Sequence, residues 1–136
     1  MTASSSQTAL QRSQPAPSRV ECRTFRNPDD KLDFGEYGKI DVVQMHDGVQ
    51  GMHAVLEPGW KWSIHEKPLL GNPESCPNPH TGYCIAGELA VRMIATKQEH
   101  RIRRGDFFVI PPGHDAYVLG AETCELILFA PAHPPA

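Results

Sequence analysis

Apolar and polar residues alternate with a period of two along most of this chain, and the alternation stops every few residues at glycine or proline. Such a pattern predicts short strands joined by turns. Ile40-Asp41-Val42-Val43-Gln44-Met45 and the segment Val49 to Leu56 are rich in β-branched residues. Between them stands Asp47-Gly48, a pair that suits a tight hairpin turn. Glu57-Pro58-Gly59 then turns the chain, and Trp60-Lys61-Trp62-Ser63-Ile64-His65 alternates strictly, which predicts a further strand. If that strand continues, Lys61, Ser63, His65 and Lys67 share one face. The stretch from Pro68 to Pro79 holds Gly71, Pro73 and Pro77 and is expected to be a loop. Further strands are expected at Tyr83-Cys84-Ile85, Leu89 to Met93, Glu99 to Arg103, Tyr117 to Leu119 and Glu125 to Phe129. Phe107 to Ile110 reads as a buried strand, with Phe107, Phe108, Leu126 and Leu128 assigned to the core. The single helical candidate is one turn over Asp29 to Phe34, opened by Asn27-Pro28.

Many short strands with close turns predict an all-β fold, a sandwich or a small barrel. The 13 prolines and 11 glycines exclude a helical bundle, whose interior proline would break. With 136 residues the chain is of single-domain length. Residues 1–20 are rich in Ser, Gln and Pro and are expected to form a disordered N-terminal tail. Residues 21–130 then form one domain, and 131–136 a short disordered tail with nothing to pack.

Charge and composition narrow the function classes. The net charge of −3 supplies no basic field for nucleic acid, and His100-Arg101-Ile102-Arg103-Arg104 reads as a solvated strand face. No apolar run approaches the ~20 residues of a membrane span. The first residues lack the basic and apolar regions of a secretory signal, and a cytoplasmic location is expected. Cys22, Cys76, Cys84 and Cys124 are scattered and form no CxxC pair, so reduced thiols are expected rather than a disulfide framework. There is no P-loop, no GxGxxG and no GxSxG.

What remains is a set of histidines. His65, Cys76, His80 and His114 each fall beside a turn of the strand-rich region. Imidazole and thiolate suit Zn, Fe, Cu or Ni, and the spacing excludes a compact zinc-finger site. On a regular strand His80, Gly82 and Cys84 share a face, as do His114, Ala116 and Val118. Each histidine alone reads more readily as a satisfied core or surface residue than as a ligand, and Cys76 equally as a small buried apolar side chain. His46, His53, His100 and His133 carry no further signal.

Pro58-Gly59, His65, Gly87-Glu88-Leu89, Gly105-Asp106 and Ile110-Pro111-Pro112-Gly113-His114 follow in the order of the two motif halves of the cupin superfamily. Across roughly residues 38–130 the chain resembles that superfamily, and its local stretches resemble small bacterial single-domain cupins. The resemblance implies a double-sheet jelly-roll β-barrel holding a metal or a small ligand. His65 matches the first motif histidine, while Lys67 stands where the second would be and His80 where a glutamate is usual. Ala116 occupies the second-motif histidine position, with His114 two residues earlier. The implied metal set is therefore His65, His80 and His114 with Cys76 as a possible fourth donor, and the metal one divalent ion, Zn or Fe before Ni, Mn or Cu. Lys67, Tyr83 and Tyr117 are the candidate substrate contacts, Lys67 as a charge for an anionic carboxylate. The implied function is an enzyme of dioxygenase, isomerase or decarboxylase type acting on a small organic molecule. The alternative is a non-catalytic ligand-binding barrel with a degenerate site. A homodimer is the expected assembly, with no nucleic-acid or membrane partner.

Overall fold

The computed structural model describes residues 19–46 and 48–131. Among the described residues nine strands form two antiparallel sheets, with β1 at Asp30–Asp33, β2 at Gly38–Gln44, β3 at Val49–Leu56, β4 at His80–Ala86 and β5 at Glu88–Met93. They continue with β6 at Glu99–Arg103, β7 at Phe107–Ile110, β8 at His114–Leu119 and β9 at Cys124–Pro131. The larger sheet runs β1-β2-β3-β9-β4-β7 and the smaller β6-β5-β8. The sheets face each other as a jelly roll without closing into a continuous barrel. Single bridges, Lys61 to Tyr117 and Cys76 to His114, lengthen the smaller sheet beyond β8. Most of the expected tails, residues 1–18 and 132–136, lie outside the described residues.

Period-two burial builds the core. On β8 His114, Ala116 and Val118 are buried while Asp115, Tyr117 and Leu119 are half-buried, and on β4 Gly82 and Cys84 are buried while Tyr83 and Ile85 are exposed. Inward side chains of the larger sheet (Ile40, Ala54, Leu56, Leu126, Leu128) meet Leu89, Val91 and Val118 of the smaller one, with Trp60 and Trp62 in the same cluster. Gly82 is glycine for a packing reason. A Cβ there would run into the Ile127 carbonyl oxygen and come within 2.8 Å of the Phe108 ring.

Three expectations are corrected. Trp60 to His65 is not a strand. Its alternation holds only through Trp62, after which the backbone winds into a π-helical turn over Trp62–Glu66 and a 3-10 turn over Lys67–Leu70. The N–H of Ser63 donates to the Asp115 carboxylate (3.1 Å), and the carbonyl of Lys61 accepts from the N–H of His65 (2.9 Å). The backbone of this turn is thus bonded within itself and to the Asp115 side chain rather than along a strand ladder. Second, Asp29 to Phe34 is extended rather than helical, because β1 pairs with β2 from Asp30↔Val42 to Asp33↔Lys39. The helical turn comes later, at Gly35–Tyr37. Third, β7 is only half-buried. Phe108 and Ile110 point inward, but Phe107 and Val109 are 71% and 69% exposed, because β7 is an edge strand with nothing over its outer face.

Candidate metal centre and cavity

Cys76, His80 and His114 come together from three separate segments. Each offers one ligand atom, and these atoms all lie within 4.8 Å of one another. His80 opens β4 on its inward face, and His114 opens β8 on the opposing sheet. Cys76 comes from the loop before β4. It is tied to β8 by two backbone hydrogen bonds, Cys76 N–H to the His114 carbonyl (2.9 Å) and Gly113 N–H to the Cys76 carbonyl (2.8 Å). The loop donor is therefore held in register with the strand donor.

Hydrogen bonding orients each donor. The Pro111 carbonyl accepts from Nδ1 of His114 at 2.8 Å, which leaves the lone pair on Nε2. Nε2 of His80 lies 3.5 Å from Sγ of Cys76. Its Nδ1 is buried without a hydrogen-bond partner. The two imidazole rings meet edge to face at 5.4 Å. Burial, with the neighbouring His114, pushes the His80 pKa down to about 4, and burial lowers that of His114 as well. Burial raises the Cys76 thiol to about 11. Without a cation, burial favours two neutral imidazoles and a protonated thiol, with the thiol in weak contact with the His80 ring.

That donor set fits a first-row metal. Neutral imidazoles have lone pairs to give, and a cation would displace the thiol proton that burial otherwise retains. Tetrahedral zinc places a thiolate sulfur and an imidazole nitrogen about 3.6 Å apart, from bond lengths of about 2.3 and 2.05 Å. The sulfur–nitrogen distance of 3.5 Å lies close to that value. Three protein donors leave a coordination position for water or a ligand.

His80 and His114 stand in the wall of a cavity of about 360 Å³ between the sheets. Its walls are mostly apolar, with Ile40, Leu56, Leu126 and Leu128 beside both tryptophans. Asp30 and Glu66 are the charged residues lining it apart from the histidines, and neither lysine nor arginine does. Burial pushes the Glu66 carboxyl up to about 7.

The other expected site residues lie elsewhere. His65 is not among the clustered donors. Its ring packs on Tyr37 at 4.2 Å, and its Nδ1 lies 3.0 Å from the Lys61 amide nitrogen, which donates to it. Lys67 does not line the cavity and stands in the 3-10 turn beyond it. Tyr83 is on the exposed face of β4, and the Tyr117 hydroxyl donates to Glu99 outside the smaller sheet. Glu66 is the residue that alternation missed. It stands at the end of the π-helical turn, four residues after Trp62, and both line the cavity. Pro68, suited to the first turn of a helix, was the available sign.

No protein-family profile matches the chain, and no curated protein sequence does. Solved structures do. The polyketide cyclase RemF from Streptomyces resistomycificus superposes with a TM-score of 0.61 at 12% identity, over 87% of this chain and 83% of that one. The oxalate decarboxylase of Lactobacillus farciminis, in its formate complex, gives 0.59 at 18% identity, over 88% of this chain and 36% of the longer enzyme. KdgF from Halomonas sp. gives 0.52 at 20% identity, over 76% and 87% of the two chains. Together with the two opposed antiparallel sheets and their inward histidines, these likenesses establish that the chain has the fold of the cupin superfamily.

Proposed function

We propose that this protein binds a divalent first-row metal, zinc or iron, through Cys76, His80 and His114, and acts as an enzyme on a small organic molecule held in the adjoining cavity. The observation that carries this reading is the convergence of three donors within 4.8 Å at the wall of an apolar cavity. A metal bound there would polarise an oxygen of the ligand as a Lewis acid. The chain's own contribution is orientation and exclusion of water. Pro111 holds the His114 ring, the Cys76–His114 bridge holds the loop donor, and the hydrocarbon walls keep solvent from the ligand. With zinc the reaction belongs to isomerisation or decarboxylation; with iron, oxygenation becomes available. Likeness to a polyketide cyclase and an oxalate decarboxylase supports an enzymatic use of this architecture.

Elemental analysis of protein purified without a histidine tag or chelator tests the metal. Near one equivalent in the wild type, lost in His80→Ala and His114→Ala variants that remain folded, is the expected result. A folded wild type that neither holds nor takes up a metal would overturn it.

We also propose that the protein is a homodimer paired through β7. This edge strand presents Phe107 and Val109 beside exposed Tyr83 and Phe129, and a second copy of β7 can pair with it antiparallel about a two-fold axis. Light scattering on the wild type and on Phe107→Glu should report a dimer and a monomer respectively. A monomeric wild type would sink the proposal.

A further inference from the structure

The cavity carries a second piece of information, its polarity of charge. Glu66 is half-buried and lines the cavity. Among the described residues its carboxyl makes no hydrogen bond or ion pair, although it is close enough to Cys76 to affect that thiol. Asp30, the second carboxylate in the lining, is on an exposed strand. No basic side chain faces either one across the cavity. In metal-free protein a bound carboxylate would therefore meet Glu66 with no cation to offset it, and like charges brought together away from water repel. A hydroxyl or N–H group would instead find an acceptor that is otherwise unsatisfied. The volume of about 360 Å³ is at the small end for ligand pockets, enough for about one or two rings.

Resting on the reading of this cavity as the ligand site, we propose that it takes a mainly hydrocarbon molecule bearing a hydroxyl or N–H donor, that Glu66 accepts this donor, and that carboxylates are rejected by the metal-free protein. Glu66 is thus the specificity-determining residue. The role that the family resemblance implied for Lys67, a charge for an anionic substrate, is replaced by a group of opposite charge one residue earlier.

The chain's reporters suit the test, because both of its tryptophans, Trp60 and Trp62, line the cavity. Their fluorescence should respond to occupancy. Three probes share one skeleton and differ only in the head group: 2-naphthylmethanol, 2-naphthylmethylammonium and 2-naphthoate. Titration of chelator-treated, full-length protein at about pH 8.5, where the naphthoate is ionised and the alcohol is not, reads the head group without any contribution from a metal. The alcohol is expected to bind at least about tenfold more tightly than the naphthoate, a difference of about 1.4 kcal/mol. Glu66→Gln should bring that ratio below about threefold, chiefly by improving the naphthoate, while Asp30→Asn leaves it unchanged.

Naphthoate binding as tightly as the alcohol in the wild type would overturn the proposal, as would no probe binding at all. A ratio abolished by Asp30→Asn rather than Glu66→Gln would remove Glu66 from the role. Metal content read on the protein as purified, with the titration kept to chelator-treated protein, separates the two readings. Protein that takes up no metal but keeps the Glu66-dependent ratio refutes the metal centre alone, and protein that holds metal without the ratio refutes this inference alone.

Discussion

The larger sheet carries histidines on both of its faces, and the two faces treat them differently. On the outer face His53 of β3 meets Glu125 of β9, Nε2 to Oε2 at 2.6 Å, with the ring of Phe25 5.5 Å away. Both side chains are partly in water. On the inner face His80 has only a thiol within reach of its Nε2, and His114, across from it, gives its Nδ1 proton to a backbone carbonyl. Neither inner ring has a hydrogen-bonded carboxylate, and burial holds both below their ordinary pKa. An imidazole on a carboxylate is already committed to an ion pair or a strong hydrogen bond. An imidazole kept neutral by burial retains a lone pair for a cation. The face of the strand, rather than the residue type, thus separates a structural histidine from a candidate ligand.

Substitution can break that division. The largest effect is expected on metal content: His80→Ala or His114→Ala should lose the bound equivalent, while His53→Ala keeps it, by elemental analysis of the three variants side by side. Loss in His53→Ala would mean that the two faces are not independent. Next comes Gly82→Ala on the inner face, between His80 and Cys84 on the same strand. Its Cβ would collide with the Ile127 backbone oxygen and crowd Phe108 and Leu128. A loss of about 2–4 kcal/mol is expected in denaturant unfolding, against under about 1 kcal/mol for Thr81→Ala on the outer face of the strand.

A smaller effect, with a definite sign, belongs to Glu66. Its carboxyl pKa rises from 4.5 to about 7 on folding. The folded state therefore keeps a proton that the unfolded state has released between these values. Its contribution is complete below pH 4.5 and is lost as the pH rises through 7. In metal-free protein Glu66→Gln should accordingly be more stable than wild type at about pH 8, by roughly 1–3 kcal/mol, and no more stable at about pH 4. His80 acts in the opposite direction, with stability lost as the pH falls from 6.5 through about 4. Melting temperatures across pH for Glu66→Gln and His80→Ala would resolve the two limbs. The smallest effect is on the outer face, where His53→Ala should cost under about 1 kcal/mol, as for other partly exposed ion pairs.

Strand positions were the most legible property of the sequence. Val49 to Leu56 is β3 to the residue, and the inward run His80, Gly82, Cys84 could be read from alternation, because side chains on a strand alternate by geometry. Alternation misplaced Phe107, since apolar character alone does not distinguish the middle of a sheet from its edge. It also misplaced the segment after Trp62, where a hydrogen bond to Asp115, 52 residues away, accompanies a helical turn. That turn puts Glu66 in the cavity wall and leaves His65 against Tyr37.

By itself, the sequence determined an all-β chain of short strands, the faces of those strands and a short set of possible metal donors, since all three depend on residue type and local period. Which donors meet was decided by tertiary structure alone. Cys76 is within reach of His80 and His114 because a loop bridges to β8 and β4 lies across from it, contacts between segments that no local pattern records. The charge lining the cavity was decided in the same way, by one helical turn in which the Ser63 N–H bonds to Asp115 of β8.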